Sequence, residues 1–211
     1  MYSTDTPQAV NTDGRSRPVP VLRWLPVPGG SGRFGDTARE RTVIDLLVAA
    51  TPLTYRQLTY RQLGWADQTP SPDLPVVEVD HAQAVRLAAA AGGRLPTSTE
   101  WEWIAAGRQR RTWPWGEDAW RPDLARLRGA QVEHVRCGPV GAHPAGATPE
   151  GLLDVAGNCW EWTSTPTMGR GYVIRGGSYA SPSLYARCTF LNAVHAECRS
   201  AGIGVRPVRP A

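Results

Sequence analysis

Two carboxylates flank a tight turn in the segment from Gly151 to Thr163. Asp154 and Glu161 lie on either side of Ala156-Gly157-Asn158, which interrupts a run of apolar residues. Hard cations are bound by carboxylate and backbone carbonyl oxygens together, so this arrangement is typical of a calcium site. The same residues also fit an Asx-type turn between two buried strands, and their spacing alone favours neither interpretation.

The sequence contains four cysteines, Cys137, Cys159, Cys188 and Cys198, and none of them stands in a two-residue-gap metal pattern. They are also too few to dominate a chain of 211 residues as disulfides, so we expect free thiols in a reduced cytoplasm. His195 and Cys198 are three positions apart and could bind a transition metal, with Cys188 as a third ligand. Such pairs are more often accidental, which makes this signal weak.

The positive charge comes entirely from arginine, because the sequence contains no lysine, and the formal net charge is +4. These arginines are scattered, and no Arg-rich run alternates with aromatic residues, so we expect no nucleic-acid partner. The sequence has nine tryptophans against two phenylalanines. This bias indicates a core of large rings in irregular structure, where each indole N–H can find an acceptor.

The composition divides the chain into two parts. Residues 1–20 are rich in Ser, Thr, Asp and Pro and are interpreted as a flexible N-terminal tail. Residues 21–211 are predicted to form one domain of ordinary size. No signal-peptide pattern is visible and no apolar run approaches the length of a membrane span, so we expect no membrane association.

Two strands and three short helices are predicted in the first half of the domain. Residues 22–30 alternate like a strand and end in a Pro-Gly-Gly turn, and residues 42–50 are typical of a buried strand. Each helix is indicated by a capping box and by a glycine beyond its end. The boxes and glycines are Thr54 and Gln57 with Gly64, Asp80 and Gln83 with Gly92, and Thr97 and Glu100 with Gly107. The pentapeptide Thr-Tyr-Arg-Gln-Leu occurs twice, at 54–58 and 59–63. The regular spacing of apolar residues is lost after the third predicted helix. This predicts long loops that are held in place by an interaction such as a bound ion.

Five short motifs occur in order along the chain. They are Gly93-Arg94-Leu95-Pro96-Thr97-Ser98-Thr99-Glu100-Trp101-Glu102, Trp113-Pro114-Trp115-Gly116, the segment from Gly151 to Thr163, Arg175-Gly176-Gly177-Ser178 and Gly204-Val205-Arg206. Together they resemble the formylglycine-generating enzyme, or sulfatase-modifying factor, family. The resemblance implies an α+β, formylglycine-generating-enzyme-like fold of the C-type-lectin-like superfamily, with little regular secondary structure and bound calcium.

The resemblance also implies a set of calcium ligands. They are the side chains of Asp154 and Glu161 and the backbone carbonyls of Gly157 and Cys159. A second calcium site of the family would fall at residues 124–128, where the sequence reads Leu-Ala-Arg-Leu-Arg. An arginine cannot ligate calcium, so we expect this second site to be lost.

Oxidase members of this family bind copper(I) through two cysteines that follow the Gly-Gly-Ser motif. The corresponding segment here contains Ser181 and Ser183 but no cysteine before Cys188, which matches a later family cysteine outside the metal pair. A hydroxyl does not replace a thiolate on copper(I), so we do not expect conversion of a sulfatase cysteine to formylglycine by the usual mechanism. Copper or iron would need other ligands, for which Cys188, His195 and Cys198 are the weak candidates.

The family geometry also predicts a groove. Its walls would be Trp160, Arg175, Ser178, Tyr179, Ser181 and Tyr185. Aromatic walls with an arginine and hydroxyls suit a peptide or an anionic small molecule. We therefore predict a non-catalytic domain that binds such a ligand and holds one structural calcium. Two alternatives remain open, namely a divergent copper or non-haem iron oxidase acting on a peptide or biosynthetic intermediate, and a structural partner of another protein. Trp162 is expected in the core, and Arg206 in a buried hydrogen-bonded pair.

Overall fold

The computed structural model describes residues 22–35, 38–58, 71–129 and 134–211. Within these ranges the chain forms short strands, two α-helices and three 3-10 turns joined by long loops. The predicted tail at residues 1–20, the second copy of the pentapeptide and Gly64 lie outside the described residues.

The strands of the described residues form three small sheets. The strands are β1 (Trp24–Val27), β2 (Gly30–Phe34), β3 (Arg39–Val43), β4 (Leu46–Ala49), β5 (Trp160–Pro166), β6 (Gly171–Arg175), β7 (Leu191–His195), β8 (Ile203–Gly204) and β9 (Val208–Pro210). The strand orders are β1-β4-β9, β2-β3 and β7-β6-β5-β8. All pairs are antiparallel except β5 and β8, which are parallel.

The strand predicted at residues 22–30 is confirmed in part by β1, but a single strand over residues 42–50 is wrong. β3 pairs with β2 as far as Val43, which is opposite Gly30, and β4 then pairs with β1 from Leu46 onward. The chain therefore leaves one sheet and enters another within an apolar run that looks continuous in the sequence. Asp45 lies in this break and accepts a hydrogen bond from the Gly29 N–H at 2.7 Å.

Two of the predicted helices are confirmed. Helix α1 (His81–Ala90) and helix α2 (Ser98–Ala106) each begin after the predicted capping box. Gly92 and Gly107 follow them with φ angles of 83° and 62°. The box at Thr54 instead opens a 3-10 turn, Tyr55–Gln57, and Leu58 is already extended, so the predicted helix is wrong over residues 55–58, and the rest of its span lies outside the described residues.

The indole rings lie in the interior, as the composition indicates. Trp101 of α2 and Trp162 of β5 are both fully buried. The Trp162 Nε1 donates to the Val79 carbonyl at 3.0 Å, which confirms the expectation that buried indoles find acceptors. Trp101 packs with β1 to β4, whereas Trp162 packs with α1. No helix within the described ranges is long and apolar enough to cross a lipid bilayer.

Candidate functional site

The segment that carries Asp154 folds into a tight turn, which we call the central turn and define as residues 154–159. Asp154, Gly157 and Asn158 adopt positive φ angles of 53°, 76° and 60°. Asp and Asn enter this region more readily than most residues, and glycine enters it without strain. A Cβ atom on Gly157 would also lie 2.6 Å from the Arg126 carbonyl oxygen. The residue types of the turn therefore match the backbone that it adopts.

Asn158 anchors the central turn to three other loops. Its Oδ1 accepts from the Gly138 N–H at 2.9 Å, and its Nδ2 donates to the Gly138 carbonyl at 3.2 Å. Its backbone N–H donates to the Arg126 carbonyl at 2.9 Å, and its own carbonyl accepts from the Tyr179 N–H at 3.0 Å. The sequence predicts Asn158 only as a turn residue, because the partners of its hydrogen bonds are distant in the chain.

Glu161 follows the central turn in β5 and is fully buried. Its Oε1 accepts from the Arg206 Nε at 2.8 Å, and its Oε2 accepts from the Trp101 Nε1 at 2.6 Å. Arg206 also donates to the carbonyls of Ala49 and Leu153 at 2.9 and 2.7 Å. The predicted buried pair of Arg206 is thus confirmed, and its partner is the predicted calcium ligand Glu161.

Asp154 lies beside this pair and is 8% exposed. Its Oδ2 accepts from the Gly141 N–H at 2.6 Å. Burial raises the pKa of both the Asp154 and the Glu161 carboxyl above its ordinary value, although the charge of Arg206 acts in the opposite direction. When both carboxyls are ionised, one guanidinium offsets only one of the two negative charges. A bound cation would remove the remaining imbalance.

The predicted calcium ligands include oxygen atoms that keep free lone pairs. None of the turn and loop hydrogen bonds among the described residues ends on the carbonyl oxygen of Gly157 or Cys159. A carboxylate oxygen has two lone pairs, so the Glu161 Oε2 keeps one after accepting from Trp101. The described residues contain no group of three or more His, Cys, Asp or Glu side chains that could hold a metal. An ion at the central turn would therefore depend on carbonyl oxygens and water as well as on Asp154 and Glu161, as calcium sites do.

A pair of serine hydroxyls lies next to the central turn, in the loop after β6. The Oγ atoms of Ser178 and Ser181 are 3.3 Å apart, and the Ser178 N–H donates to the Ser181 Oγ at 3.0 Å. The two loops are joined because the Gly157 N–H donates to the Gly176 carbonyl at 2.8 Å. Both serines are buried, and Tyr179 beside them is half-buried.

Three aromatic rings lie near this loop, and we call them the aromatic shelf: Trp160, Tyr185 and Phe190. The rings of Tyr185 and Phe190 stack with centroids 4.6 Å apart, and Trp160 lies 6.2 and 6.3 Å from them. Trp160 is 8% exposed and Tyr185 is 36% exposed, so the shelf has a buried base and an open edge. Leu184 and Leu191, the sequence neighbours of Tyr185 and Phe190, are 51% and 50% exposed.

Arg175, predicted as a groove residue, lies in the interior and is 3% exposed. Its guanidinium forms an ion pair with Glu102 at 3.0 Å and donates to the Ser98 Oγ at 2.9 Å. It also donates to the carbonyls of residues 188, 189 and 190 at 3.3, 3.0 and 3.0 Å. Arg175 therefore orders the segment that presents Phe190, and its charge does not face an open groove wall. Glu102 stands in a motif quoted above, but nothing in its spacing identified Arg175 as its partner.

The three candidate redox ligands have different surroundings. Cys188 is fully buried in the core cluster that contains Trp101, and burial raises the pKa of its thiol. His195 is exposed at the end of β7, and the Cys198 N–H donates to its carbonyl at 2.9 Å. Cys198 is half-buried and packs against the other large cluster, which contains Trp162. The structure thus keeps His195 and Cys198 in one turn and places Cys188 in a different part of the core.

Mixed α and β layers, long loops and a buried Glu–Arg–Trp network behind a left-handed turn together define a fold of the formylglycine-generating-enzyme type. The chain belongs to the sulfatase-modifying factor family, since residues 27–211 match the sulfatase-modifying factor enzyme 1-like domain. Hercynine oxygenase from Mycolicibacterium thermoresistibile is 37% identical over 175 residues, covering 70% of this chain and 38% of the relative. Formylglycine-generating enzyme from Mycobacterium tuberculosis is 39% identical over 101 residues, covering 43% of this chain and 33% of the relative. The chain thus spans about two fifths or less of the length of these relatives.

Solved structures show the same fold. CarF superimposes with a TM-score of 0.72 at 19% identity, covering 92% of this chain and 99% of CarF. PvdO from Pseudomonas aeruginosa also gives 0.72 at 19% identity, covering 93% of this chain and 100% of PvdO. At this level of identity the likeness concerns the fold alone. The predicted family and the predicted α+β fold of the formylglycine-generating-enzyme type are therefore confirmed.

Proposed function

We propose that this chain is a ligand-recognition domain that binds a small molecule on the aromatic shelf and holds one structural calcium at the central turn. The observation that carries the proposal is the half-open stack of Tyr185 and Phe190 over the buried Trp160. Aromatic walls with a few converging polar groups are typical of small-molecule sites. The buried hydroxyls of Ser178 and Ser181 supply such groups in the neighbouring loop.

A small molecule is preferred to a peptide because of the relatives. The hercynine oxygenase of Mycolicibacterium thermoresistibile is 37% identical over a match that covers 70% of this chain, whereas the formylglycine-generating enzyme of Bos taurus, whose match covers 82%, is 29% identical. In the copper segment of the family this chain carries Ser181 and Ser183, whose hydroxyls are poor ligands for copper(I). We therefore assign recognition, and not formylglycine formation, to this surface.

Calcium at the central turn would hold the surface in place. It would be bound by the carboxylates of Asp154 and Glu161 and by the carbonyls of Gly157 and Cys159, and its charge would offset the surplus negative charge of the two acids. The central turn contacts the Ser178 loop through the Gly157 to Gly176 and Tyr179 to Asn158 hydrogen bonds. A calcium ion that orders the central turn would therefore also order the Ser178 loop beside the aromatic shelf.

Thermal shift assays on the calcium-loaded chain test the proposal. The probes are hercynine and a cysteine-containing sulfatase peptide, each with and without calcium. Saturable stabilisation by hercynine that Tyr185→Ala removes supports a small-molecule site on the shelf. Stabilisation by the peptide alone would replace it with a peptide site, and no response to either probe would count against both ligands.

The second candidate is a metal-dependent oxidase, and it is favoured by hercynine oxygenases that match this chain at 35 to 37% identity. Copper or iron would then need ligands such as His195, Cys198 or Cys188. Anaerobic titration with copper(I) and iron(II), followed by oxygen-uptake measurement with hercynine and a thiol, tests this function. Stoichiometric tight binding together with substrate-dependent oxygen uptake, both lost in His195→Ala, would replace the recognition proposal.

A further inference from the structure

Two buried thiols, that of Cys159 in the central turn and that of Cys137 in a neighbouring loop, have no role as side chains in the proposed calcium or ligand site. Cys137 is 6% exposed and Cys159 is 1% exposed. The neighbouring Cys137 thiol and burial raise the pKa of the Cys159 thiol. The Cys137 Sγ also lies 3.2 Å from the carbonyl oxygens of Asn158 and Ala201.

The backbone holds these two cysteines side by side. Asn158 precedes Cys159, Gly138 follows Cys137, and the paired hydrogen bonds between Asn158 and Gly138 are 2.9 and 3.2 Å long. On its other side Cys159 is confined by Gly204, because a Cβ atom there would lie 2.9 Å from the Cys159 Sγ. These contacts hold the two cysteines on adjacent segments that are hydrogen-bonded to each other.

The other two cysteines provide an internal comparison. Cys188 is buried in the cluster around Trp101, and Cys198 is half-buried against the cluster around Trp162. A disulfide requires Cα atoms within about 7 Å and correctly directed Cβ atoms, so fixed proximity decides which thiols can pair.

We propose that Cys137 and Cys159 are a redox-sensitive pair that closes to a disulfide when a small-molecule disulfide such as oxidised glutathione is present. Each thiol gives up one proton, and the pair gives up two electrons as the S–S bond forms. The small-molecule disulfide accepts both electrons and both protons and leaves as two thiols. The bond would tie the segment at Cys137 covalently to the central turn.

Burial of both thiols predicts slow reaction in the folded chain, because a small-molecule disulfide must reach the attacking sulfur. The test is therefore carried out by refolding the full chain from denaturant in a buffer of reduced and oxidised glutathione. Remaining thiols are trapped by acid and alkylation, and the protein is digested with trypsin and a glutamate-specific protease. Cleavage after Arg136, Glu150 and Glu161 separates the two cysteines into peptides 137–150 and 151–161.

We expect these two peptides to be joined in the unreduced digest, at least about tenfold above any other cysteine pairing, and to separate on reduction. The oxidised chain should melt about 5 to 10 °C above the reduced chain, since a bridge over a loop of this length constrains the unfolded state. Cys198→Ser should keep both effects, and Cys137→Ser should lose them. The wild-type peptide map decides the question by itself if Cys137→Ser does not fold. The proposal is overturned if both cysteines remain alkylated, carry glutathione, or pair with Cys188 or Cys198.

Discussion

The charge balance at the central turn makes a strong prediction about calcium. Asp154 and Glu161 are both buried, and Arg206 offsets only one of their charges. Calcium at about 100 times its dissociation constant would stabilise the chain by about 2.7 kcal/mol. For a domain of this size that corresponds to a rise in Tm of about 5 to 11 °C.

The perturbation is Asp154→Gly, because glycine accepts the φ angle of 53° without strain whereas alanine does not. This change removes a ligand and also the acceptor for the Gly141 N–H, so the metal-free Tm should fall as well. The informative quantity is therefore the difference in Tm between calcium and chelator, measured for each variant by calorimetry. We expect about 5 to 11 °C for wild type and less than about 2 °C for Asp154→Gly.

Asp154→Asn is the matched variant, since it keeps the side-chain oxygen and suits the left-handed backbone but removes the charge. In chelator it should melt above wild type, because the surplus buried charge is gone. With calcium its gain should be smaller than that of wild type but still present, because an amide oxygen can also ligate calcium. Magnesium should substitute poorly, since it demands a tighter octahedral site. An equal calcium response in wild type and Asp154→Gly, or none in wild type, would refute this reasoning.

Three further predictions concern the same framework. The pKa values of Asp154 and Glu161 are raised, so in chelator the folded chain retains protons that the unfolded chain releases, and this contribution to stability is present at low pH and lost as pH rises through the raised pKa values. Urea unfolding between the ordinary and the raised pKa values should show a free energy of unfolding that falls less steeply with pH in Asp154→Asn than in wild type. Identical pH slopes in the two proteins would contradict the assignment. Arg175→Met leaves the Glu102 carboxylate buried without its ion pair and should lower the free energy of unfolding in urea by about 3 to 5 kcal/mol. The double variant Arg175→Met, Glu102→Leu should lose less than the sum of the two single variants. Additive losses would contradict this ion-pair interpretation. Gly157→Ala should lower the free energy of unfolding by about 2 kcal/mol or more, because the residue has a φ of 76° and its new Cβ would approach the Arg126 carbonyl. Gly169→Ala has the same φ but open space around the Cβ, so it should lose only the energy of the backbone strain.

Local signals in the sequence predicted local structure well. The capping boxes at Asp80 and Thr97 correctly located both α-helices, because each depends on hydrogen bonds between residues three positions apart. The tight turn at residues 156–158 was likewise visible, because Gly and Asn are typical turn residues, but the left-handed backbone that begins at Asp154 was not predicted. The apolar run at 42–50 was misread, since periodicity does not show where a chain changes sheets.

The candidate site was predictable only where residues work within one segment. The ordered motifs correctly identified the family, and the predicted buried pair of Arg206 was found. The position of Arg175 depends on Ser98 and Glu102, which are more than seventy residues away, and no local pattern reveals such contacts. Phe190 was not singled out for the same reason, because only folding brings it against Tyr185 and Trp160.

The central claim is that the aromatic shelf binds a ligand, and isothermal titration of the calcium-loaded chain with hercynine tests it most directly. Tyr185→Ala is compared with Met168→Ala, whose side chain is fully exposed between β5 and β6. The aromatic shelf lies at the end of β6 where Arg175 pairs with Leu191, and Met168 lies near the other end, where Gly171 pairs with His195. About 13 Å of strand therefore separates Met168 from the shelf. We predict saturable binding of one hercynine per chain that Met168→Ala preserves and Tyr185→Ala weakens at least about tenfold. No binding, or equal affinity in both variants, would contradict the account.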